Sequence, residues 1–238
     1  MTIPAVSVIA ADLANTELFE GLTPDALLDV AGRGRVQTLA KGTILFVQGE
    51  PAERCHTLLN GRVRIAQSGP DGGQVIVRFV GPGEIFGTVA LFTDRRYPAE
   101  ATAVTDSVEI SWPETILLEL IHRYPQIALN LTRIIGNRLR EVQERLRELA
   151  TERVDQRIAH ALLRLADRRI TADKEDAVIE FPLTRQDVAE MCGATLYTVS
   201  RVLTAWEKAG YIATHRKRLS IRKLGDIRRL AGESPVLD

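Results

Sequence analysis

The segment between Leu183 and Ile221 constrains the fold more than any other part of this chain. It contains two helix-forming stretches joined by a short turn, and the second is followed by two short apolar runs around a basic tip. Thr184 is a natural N-cap with Asp187 three residues later, close to the capping-box pattern, and Gly193 ends the first helix. The order helix, turn, helix and basic hairpin predicts a winged helix-turn-helix.

The second helix of this segment, Thr195 to Lys208, has two different faces. Val199, Leu203 and Trp206 recur at helical spacing and form a predicted buried stripe. The opposite face carries groups that hydrogen-bond to base edges and phosphates: Tyr197, Thr198, Ser200 and Arg201. The chain has a formal net charge of zero, yet basic residues are concentrated between positions 209 and 230. Such a confined cluster suits contact with double-stranded DNA, although a solvated surface gives the same pattern.

A long helix is predicted from Pro125 to about Glu152, where the chain has one glycine and dense charge. Apolar residues recur there in a heptad pattern that is typical of a parallel homodimer seam. The seam consists of Ile135, Leu139, Val142, Leu146 and Leu149. The alternative is a helix packed only on its own domain. A second stripe at Ile127, Leu131 and Ile134 predicts such packing for the first half of the helix.

The first 90 residues contain twelve of the seventeen glycines, at spacings that separate short β-like runs. Arg62–Ile65 alternates polar and apolar residues, and Gln74–Val80 is a further strand candidate. Short helices are predicted around Leu13–Phe19 and from Pro24 to Ala31. This pattern predicts a β-sandwich or barrel at the N-terminal end.

Several classes of protein are excluded by what the sequence lacks. The two cysteines, Cys55 and Cys192, cannot build a disulfide framework or a four-thiolate cluster. No apolar run spans a membrane and no signal-peptide pattern is present, so we expect a cytoplasmic protein without a membrane partner. Cys55 and His56 are neighbours on a predicted strand and point to opposite faces, and no catalytic motif occurs, so we expect no enzyme.

These motifs resemble those of the catabolite-activator/fumarate–nitrate-reductase-regulator (CRP/FNR) family over nearly the whole chain. The matching runs are Gly83–Gly87, Arg123–Pro125, Leu183–Ala189 and Thr198–Arg201. The resemblance implies an α+β protein with a cyclic-nucleotide-binding-type β-roll in residues 1–123. A dimerisation helix would follow in 124–152 and a winged helix-turn-helix in 153–238. It also implies a homodimer on palindromic promoter DNA with TTG-type half-sites, with RNA polymerase as a partner.

The resemblance also assigns the DNA contacts. The implied phosphate contacts are Thr184, Arg185 and Gln186. The residues in or beside the major groove are Thr195, Tyr197, Thr198, Ser200 and Arg201. The wing would contact the backbone through His215, Arg216 and Lys217. Many relatives have Glu where this chain has Tyr197, and that acid accepts a hydrogen bond from cytosine.

The implied effector pocket departs from relatives that bind cyclic AMP. Pro98 and Ala99 stand where those relatives have an Arg-Ser pair for the cyclic phosphate, and Val142 and Gln143 replace an adenine-binding Thr-Ser pair. Gly83 and Glu84 match the family pattern, and Arg95 and Arg96 are nearby cations. Since a phosphate needs a cation or several donors, we do not expect cyclic AMP to bind.

Other effectors stay open at this point. The iron–sulfur cluster of the oxygen-sensing branch is not expected, because no cysteine precedes Cys55. The chain is most similar in pattern to the branch of nitric-oxide and nitrogen-oxide regulators, some of which use haem. His56, His122, His160 and Cys55 are then candidate haem ligands. A thiol redox switch at Cys192 is a further alternative.

Overall fold

The structure is a computed structural model that describes residues 5–166, 176–215 and 218–233. The chain divides into two compact units, one formed by Met1–Gly73 and Val77–Glu141 and the other by Gln74–Ile76 and Val142–Asp238. The helices are α1 (Val6–Leu13), α2 (Pro24–Arg33), α3 (Thr88–Leu91), α4 (Glu114–Arg123), α5 (Gln126–Thr151), α6 (Val154–Ala166), α7 (Arg185–Cys192), α8 (Leu196–Lys208) and α9 (Leu224–Leu230). The strands are β1 (Arg35–Leu39), β2 (Ile44–Phe46), β3 (Arg54–Asn60), β4 (Val63–Ser68), β5 (Gln74–Val80), β6 (Ile85–Phe86), β7 (Glu100–Ala103), β8 (Ser107–Pro113), β9 (Ala177–Val178), β10 (Ile212–His215) and β11 (Arg218–Ile221).

The first unit is a β-roll of two four-stranded sheets, in the orders β1-β8-β3-β6 and β2-β7-β4-β5. Both sheets contribute side chains to one hydrophobic core, in which Trp112 is completely buried. The indole Nε1 of Trp112 donates to the backbone oxygen of Val30 at 2.9 Å, which fixes α2 against β8. Phe19 packs edge-on against the same indole, with ring centroids 5.2 Å apart.

The prediction of a helix around Leu13–Phe19 is wrong. The helix instead covers Val6–Leu13, and turns follow as far as Gly21. The reason lies in hydrogen bonds that compete with helix formation. The hydroxyl of Thr16 donates to the backbone oxygen of Leu13 at 2.7 Å, and the backbone N–H of Glu17 donates to Gly83 at 3.1 Å.

The first half of α5 belongs to the core of the β-roll, as the sequence predicts. Ile127, Leu131 and Ile134 are all buried in that core. Asn130 is buried beside them, and its Nδ2 donates to the backbone oxygens of Leu18 and Glu20 at 2.9 and 2.8 Å. These bonds satisfy a buried amide and attach the helix to the N-terminal turns.

The second unit contains a helix-turn-helix, α7 and α8, followed by the two-stranded wing β10-β11, to which β9 adds an edge strand. Val199, Leu203 and Trp206 are buried, which confirms the predicted inner stripe of α8. Ile158 and Leu162 of α6 are buried as well. The described structure therefore confirms the predicted α+β class with its β-roll, long helix and winged helix-turn-helix. Within the described ranges, no helix is long and apolar enough to cross a membrane.

Candidate functional site

The outer face of α8 is an exposed polar surface of the helix-turn-helix. Tyr197 is 78% exposed, and Arg201, one turn later, is also exposed. The groove on this face has a volume of about 470 Å³ and is lined by Tyr197, Ser200, Arg201, Thr204, Ala205 and Lys208. Phenol, hydroxyl, guanidinium and ammonium groups on one exposed helix face are suited to base edges and phosphates.

Both helices of the helix-turn-helix are capped at their N-termini. The Thr184 hydroxyl accepts from the backbone N–H of Asp187 at 3.0 Å, and the Asp187 carboxylate accepts from the backbone N–H of Thr184 at 2.8 Å. Thr195 caps α8 in the same way through the N–H of Thr198 at 3.2 Å. These interactions form a capping box at α7 and a simpler cap at α8.

Gly193 closes α7 in the left-handed conformation, with φ of 59°. An added Cβ there would lie 3.3 Å from Cδ2 of Leu149, so the position is tight as well as left-handed. This favours glycine. The sharp turn brings the start of α8 close behind the end of α7.

Arg185 and Gln186 are the first two residues of α7, and their side chains form hydrogen bonds to other residues of the helix-turn-helix. Arg185 Nη1 donates to Thr204 Oγ1 at 3.1 Å, and its Nη2 lies 3.2 Å from a carboxylate oxygen of Glu207. Gln186 Nε2 donates to Glu190 at 2.8 Å. The side chain of Arg185 is still 41% exposed, which leaves part of the guanidinium accessible to a phosphate.

The wing is an antiparallel pair in which His215 of β10 faces Arg218 of β11. Both residues are exposed. The two other predicted wing contacts, Arg216 and Lys217, lie outside the described residues. Their assignment as phosphate contacts therefore stays a prediction.

A cluster of charged residues surrounds Glu84 in the β-roll. The carboxylate of Glu84 is buried and forms ion pairs with Arg78 at 2.7 Å and Arg138 at 3.0 Å. It also accepts from the backbone N–H of Gly81 at 2.7 Å. Glu84 is thus fully engaged within the described structure, and this cluster ties α5 to strands β5 and β6.

The predicted effector-pocket residues near α3 make contacts that do not converge. Ala99 is buried and apolar, and Pro98 is exposed. Arg95 pairs with Glu114 at 3.0 Å, and Arg96 donates to the backbone oxygen of Gly49 at 2.7 Å. Of the remaining predicted members, Gly83 lies in the turn before β6, and Val142 and Gln143 are exposed on α5.

The interior of the β-roll holds an aromatic cluster around His56. Its Nδ1 lies 3.0 Å from Oε2 of the buried Glu109, and its ring stacks on Phe86 with centroids 5.0 Å apart. The ring of Phe46 also packs against the imidazole of His56, with ring centroids 5.6 Å apart. Gly87 has a φ of 76°, and an added Cβ would lie 3.0 Å from His56 Cδ2, so glycine makes room for the ring.

The four candidate haem ligands lie in different surroundings. Nε2 of His56 is buried and has no partner among the described residues, but aromatic rings enclose the imidazole. His122 is exposed on α4, and His160 lies 3.3 Å from Glu152 in the other unit. Burial raises the pKa of the Cys55 thiol to about 12, which disfavours the thiolate that iron would need.

Both cysteines should be unreactive in the folded protein. Cys192 is buried, like Cys55, and burial raises the pKa of its thiol to about 12. We expect neither thiol to react with a disulfide reagent at pH 8 until the protein is unfolded. Because the unfolded thiols ionise near pH 9, these two groups should also lower folding stability progressively between pH 9 and 12. Rapid labelling of either thiol in the folded protein would contradict the expected lack of reactivity. Labelling of Cys192 would support the alternative of a thiol redox switch.

The second exposed surface is the predicted seam of α5. Its five members are 46–66% exposed in the single chain: Ile135, Leu139, Val142, Leu146 and Leu149. Large apolar side chains at heptad spacing on one helix face form a stripe that a soluble monomer rarely presents to water.

Some residues of these surfaces were missed by sequence analysis. Thr204 and Lys208 extend the row of Tyr197, Ser200 and Arg201 along α8. Their helical spacing from Arg201 was the available signal. Arg78 and Arg138 around Glu84 gave no such signal, because their partnership depends on the tertiary fold.

The fold and the exposed face of α8 define a class of protein, a DNA-binding transcription regulator that carries a sensor domain. Two family models match the chain, a cyclic nucleotide-binding domain over residues 36–124 and a Crp-like helix-turn-helix domain over residues 156–230. The nitrogen fixation regulation protein FixK of Azorhizobium caulinodans is 30% identical over 203 residues, 84% of this chain and 81% of the relative. The chain belongs to the CRP/FNR family of transcription regulators.

Two further similarities cover both units. A "CRP-like cAMP-activated global transcriptional regulator" of Mycobacterium tuberculosis is 29% identical over 219 residues, 92% of this chain and 96% of the relative. The crystal structure of a CRP-family transcriptional regulator from Thermus thermophilus is 30% identical, with a TM-score of 0.67 over 82% of this chain and 96% of that one. These relatives are transcription regulators.

Proposed function

We propose that this chain is a cytoplasmic, homodimeric regulator that binds palindromic promoter DNA with TTG-type half-sites and then engages RNA polymerase. The observation that carries the proposal is the outer face of α8, where Tyr197 and Arg201 are exposed opposite a fully buried stripe. In this geometry, α8 is the element that enters the major groove. Arg201 supplies the guanidinium fork that pairs with guanine O6 and N7.

The homodimer is supported by the exposed seam of α5. The helix has 26 residues, and the seam runs from Ile135 to Leu149, after Ile134, the last residue of the helix that is buried in the β-roll core. A second copy of the same helix offers the complementary surface in a parallel coiled coil. Two copies related by a two-fold axis would present two α8 helices to two half-sites. Because the two copies face in opposite directions, the two half-sites must form an inverted repeat.

The direct test is a fluorescence-anisotropy titration of the full chain against a palindromic TTG duplex and against a scrambled duplex of equal length. We expect tight binding of the palindrome at two chains per duplex, with an affinity that falls steeply as salt rises, because Arg185 and the wing neutralise phosphates. Equal affinity for both duplexes would contradict sequence-specific recognition.

We also propose that the sensor domain is not controlled by cyclic AMP. Pro98 has no N–H group to donate, Ala99 is buried and apolar, and Arg95 and Arg96 are bound to Glu114 and to a backbone oxygen. A cyclic phosphate would find no free cation or donor pair at these positions.

We expect calorimetry of the purified chain with cyclic AMP to show no binding, and cyclic AMP to leave its DNA affinity unchanged. The alternative is a cyclic-AMP-dependent regulator, which the name of the M. tuberculosis relative favours. Micromolar binding would support that alternative. Loss of this binding in Arg95→Ala or Arg96→Ala would then identify the substitute cation.

A second candidate keeps the DNA-binding function and assigns the sensor domain to the nitrogen-oxide branch. One observation favours it: the buried Nε2 of His56 lacks a partner within the described structure. The enclosing rings of Phe46 and Phe86 weigh against haem at that nitrogen. Absorption spectra of the protein with and without haem and nitric oxide distinguish the two, since only a haem-binding chain develops a Soret band that shifts with the gas.

A further inference from the structure

The carboxylate of Glu207 connects three elements of the DNA-binding unit. Its Oε2 lies 3.2 Å from Nη2 of Arg185 at the start of α7. Its Oε1 accepts from the hydroxyl of Thr214 in β10 at 2.6 Å. Glu207 itself lies near the end of α8. One side chain therefore bonds to the first helix of the motif and to the wing from the second helix.

We propose that Glu207 is a positioning residue that sets the DNA-contacting geometry of Arg185 and of the wing relative to α8. The proposal rests on the proposed DNA-binding function, and in particular on the phosphate contact of Arg185. Glu207 lies behind the exposed row of α8, so it acts through its two partners.

The hydrogen bonds of Arg185 explain how such positioning works. Thr204 Oγ1 and the backbone oxygen of Ser200 accept from Nη1 at 3.1 and 3.4 Å, and Glu207 accepts from Nη2. A guanidinium has five N–H donors in a rigid plane. Fixing one edge of the plane on α8 orients the remaining donors, so that less conformational entropy is lost when a phosphate binds them.

The contact with Thr214 extends the same argument to the wing. Thr214 precedes His215, the described wing residue predicted to contact DNA backbone. Both Glu207 and Thr214 keep partial solvent exposure, so the bond does not serve mainly to satisfy a buried group. It fixes the distance between the end of α8 and β10.

Two effects of opposite sign follow from removing this carboxylate. Losing one negative charge near DNA strengthens binding of every duplex. Losing the positioning weakens mainly the specific complex, because there the phosphate contacts of Arg185 and the wing hold α8 in register with the base pairs that it recognises. The informative quantity is therefore the ratio of affinities for the palindrome and the scrambled duplex. This ratio cancels the charge effect and is insensitive to a uniform loss of folded protein.

The test compares Glu207→Gln with Asp226→Asn in the full chain. Asp226 lies on α9 and pairs with Arg229, so its substitution removes one negative charge from the same unit without touching Arg185. We expect Asp226→Asn to leave the affinity ratio unchanged and Glu207→Gln to lower it about tenfold, the scale of one charge-assisted hydrogen bond. Thr214→Val should lower the ratio by a smaller factor.

A double-mutant cycle with Arg185→Ala completes the test. If Glu207 acts through Arg185, Glu207→Gln should lower the ratio much less in the Arg185→Ala background than in the wild type. An unchanged ratio in Glu207→Gln, or full additivity of the two substitutions, overturns the proposal. If the wild type itself does not distinguish the two duplexes, the proposed function fails before this inference is reached.

Discussion

Replacing Leu139 and Leu146 together with glutamate is expected to give a folded monomer that no longer binds a palindromic duplex. The two leucines are 57% and 66% exposed in the single chain, and in the proposed dimer they face their symmetry mates. Burying a leucine side chain contributes about 1.5–3 kcal/mol, and placing carboxylates in the seam adds like-charge repulsion. Analytical ultracentrifugation measures the oligomeric state, and anisotropy measures the loss of DNA binding.

The matched control adds the same two charges outside the seam. Asn137 and Ala150 are exposed on α5 and lie off the heptad stripe, so Asn137→Glu with Ala150→Glu should remain dimeric and bind DNA. Thermal melts should show that both double variants are folded. If the Leu139→Glu, Leu146→Glu protein still sediments as a dimer, the seam of α5 is not the interface.

The second large effect is expected from Arg201→Ala. Losing a bidentate contact to guanine should cost about 1–3 kcal/mol of binding free energy per half-site. The variant should then tolerate any base pair at that position. The measurement is a set of titrations against duplexes substituted at each base pair in turn. The wild type should lose affinity when the guanine is replaced, whereas Arg201→Ala should bind the original and substituted duplexes equally.

Lys208→Ala is the control for the loss of a positive charge. Lys208 lines the same groove. Its substitution should weaken binding of all the duplexes alike, because an ammonium that contacts phosphate carries no sequence information. A guanine preference that survives in Arg201→Ala would mean that another residue recognises this base pair.

Tyr197→Glu tests a further exposed residue of this face. Its phenol hydroxyl and ring stand where the family resemblance implies a carboxylate that accepts from cytosine. We expect Tyr197→Glu to shift the base preference at a position different from that of Arg201, towards that of the Glu-bearing relatives. If the preference does not change, Tyr197 contacts only the sugar–phosphate backbone, and specificity depends on Ser200 and Arg201.

The DNA-binding unit was predictable from the sequence because its determinants are local. Thr184 and Asp187 form their capping box within one helical turn, and Gly193 adopts the left-handed φ that its position after α7 requires. The buried stripe and the exposed row of α8 both follow from a period of 3.6 residues. Each of these signals lies within a few residues of the feature that it specifies.

Other parts depend on contacts between distant residues and were not predictable. Arg138 and Glu84 form an ion pair across 54 positions, and Arg185 and Glu207 across 22. The N-terminal helix was misplaced for the same reason, because Glu17 hydrogen-bonds to Gly83 and ends helical structure before the sequence pattern does. Propensity alone does not contain such tertiary competition.

The sensor domain shows a similar division between fold and chemistry. Residues 36–124 match a cyclic nucleotide-binding domain, and the two sheets enclose the core expected for that fold. The side chains at the position implied for the cyclic phosphate are Pro98 and Ala99, which offer no charge. Apolar patterning specifies the roll, whereas a ligand site depends on a few polar residues that can change without altering the roll.

The most direct test of the account is selection of binding sites by the full-length wild type from a pool of random duplexes, followed by sequencing of the bound fraction. Two copies joined through α5, each placing α8 in the major groove, should enrich an inverted repeat. Its TTG half-sites should lie about one helical turn apart, roughly 10 base pairs between centres. Enrichment of a single unrepeated motif, or of no motif, would contradict the proposal of a dimeric, sequence-specific regulator.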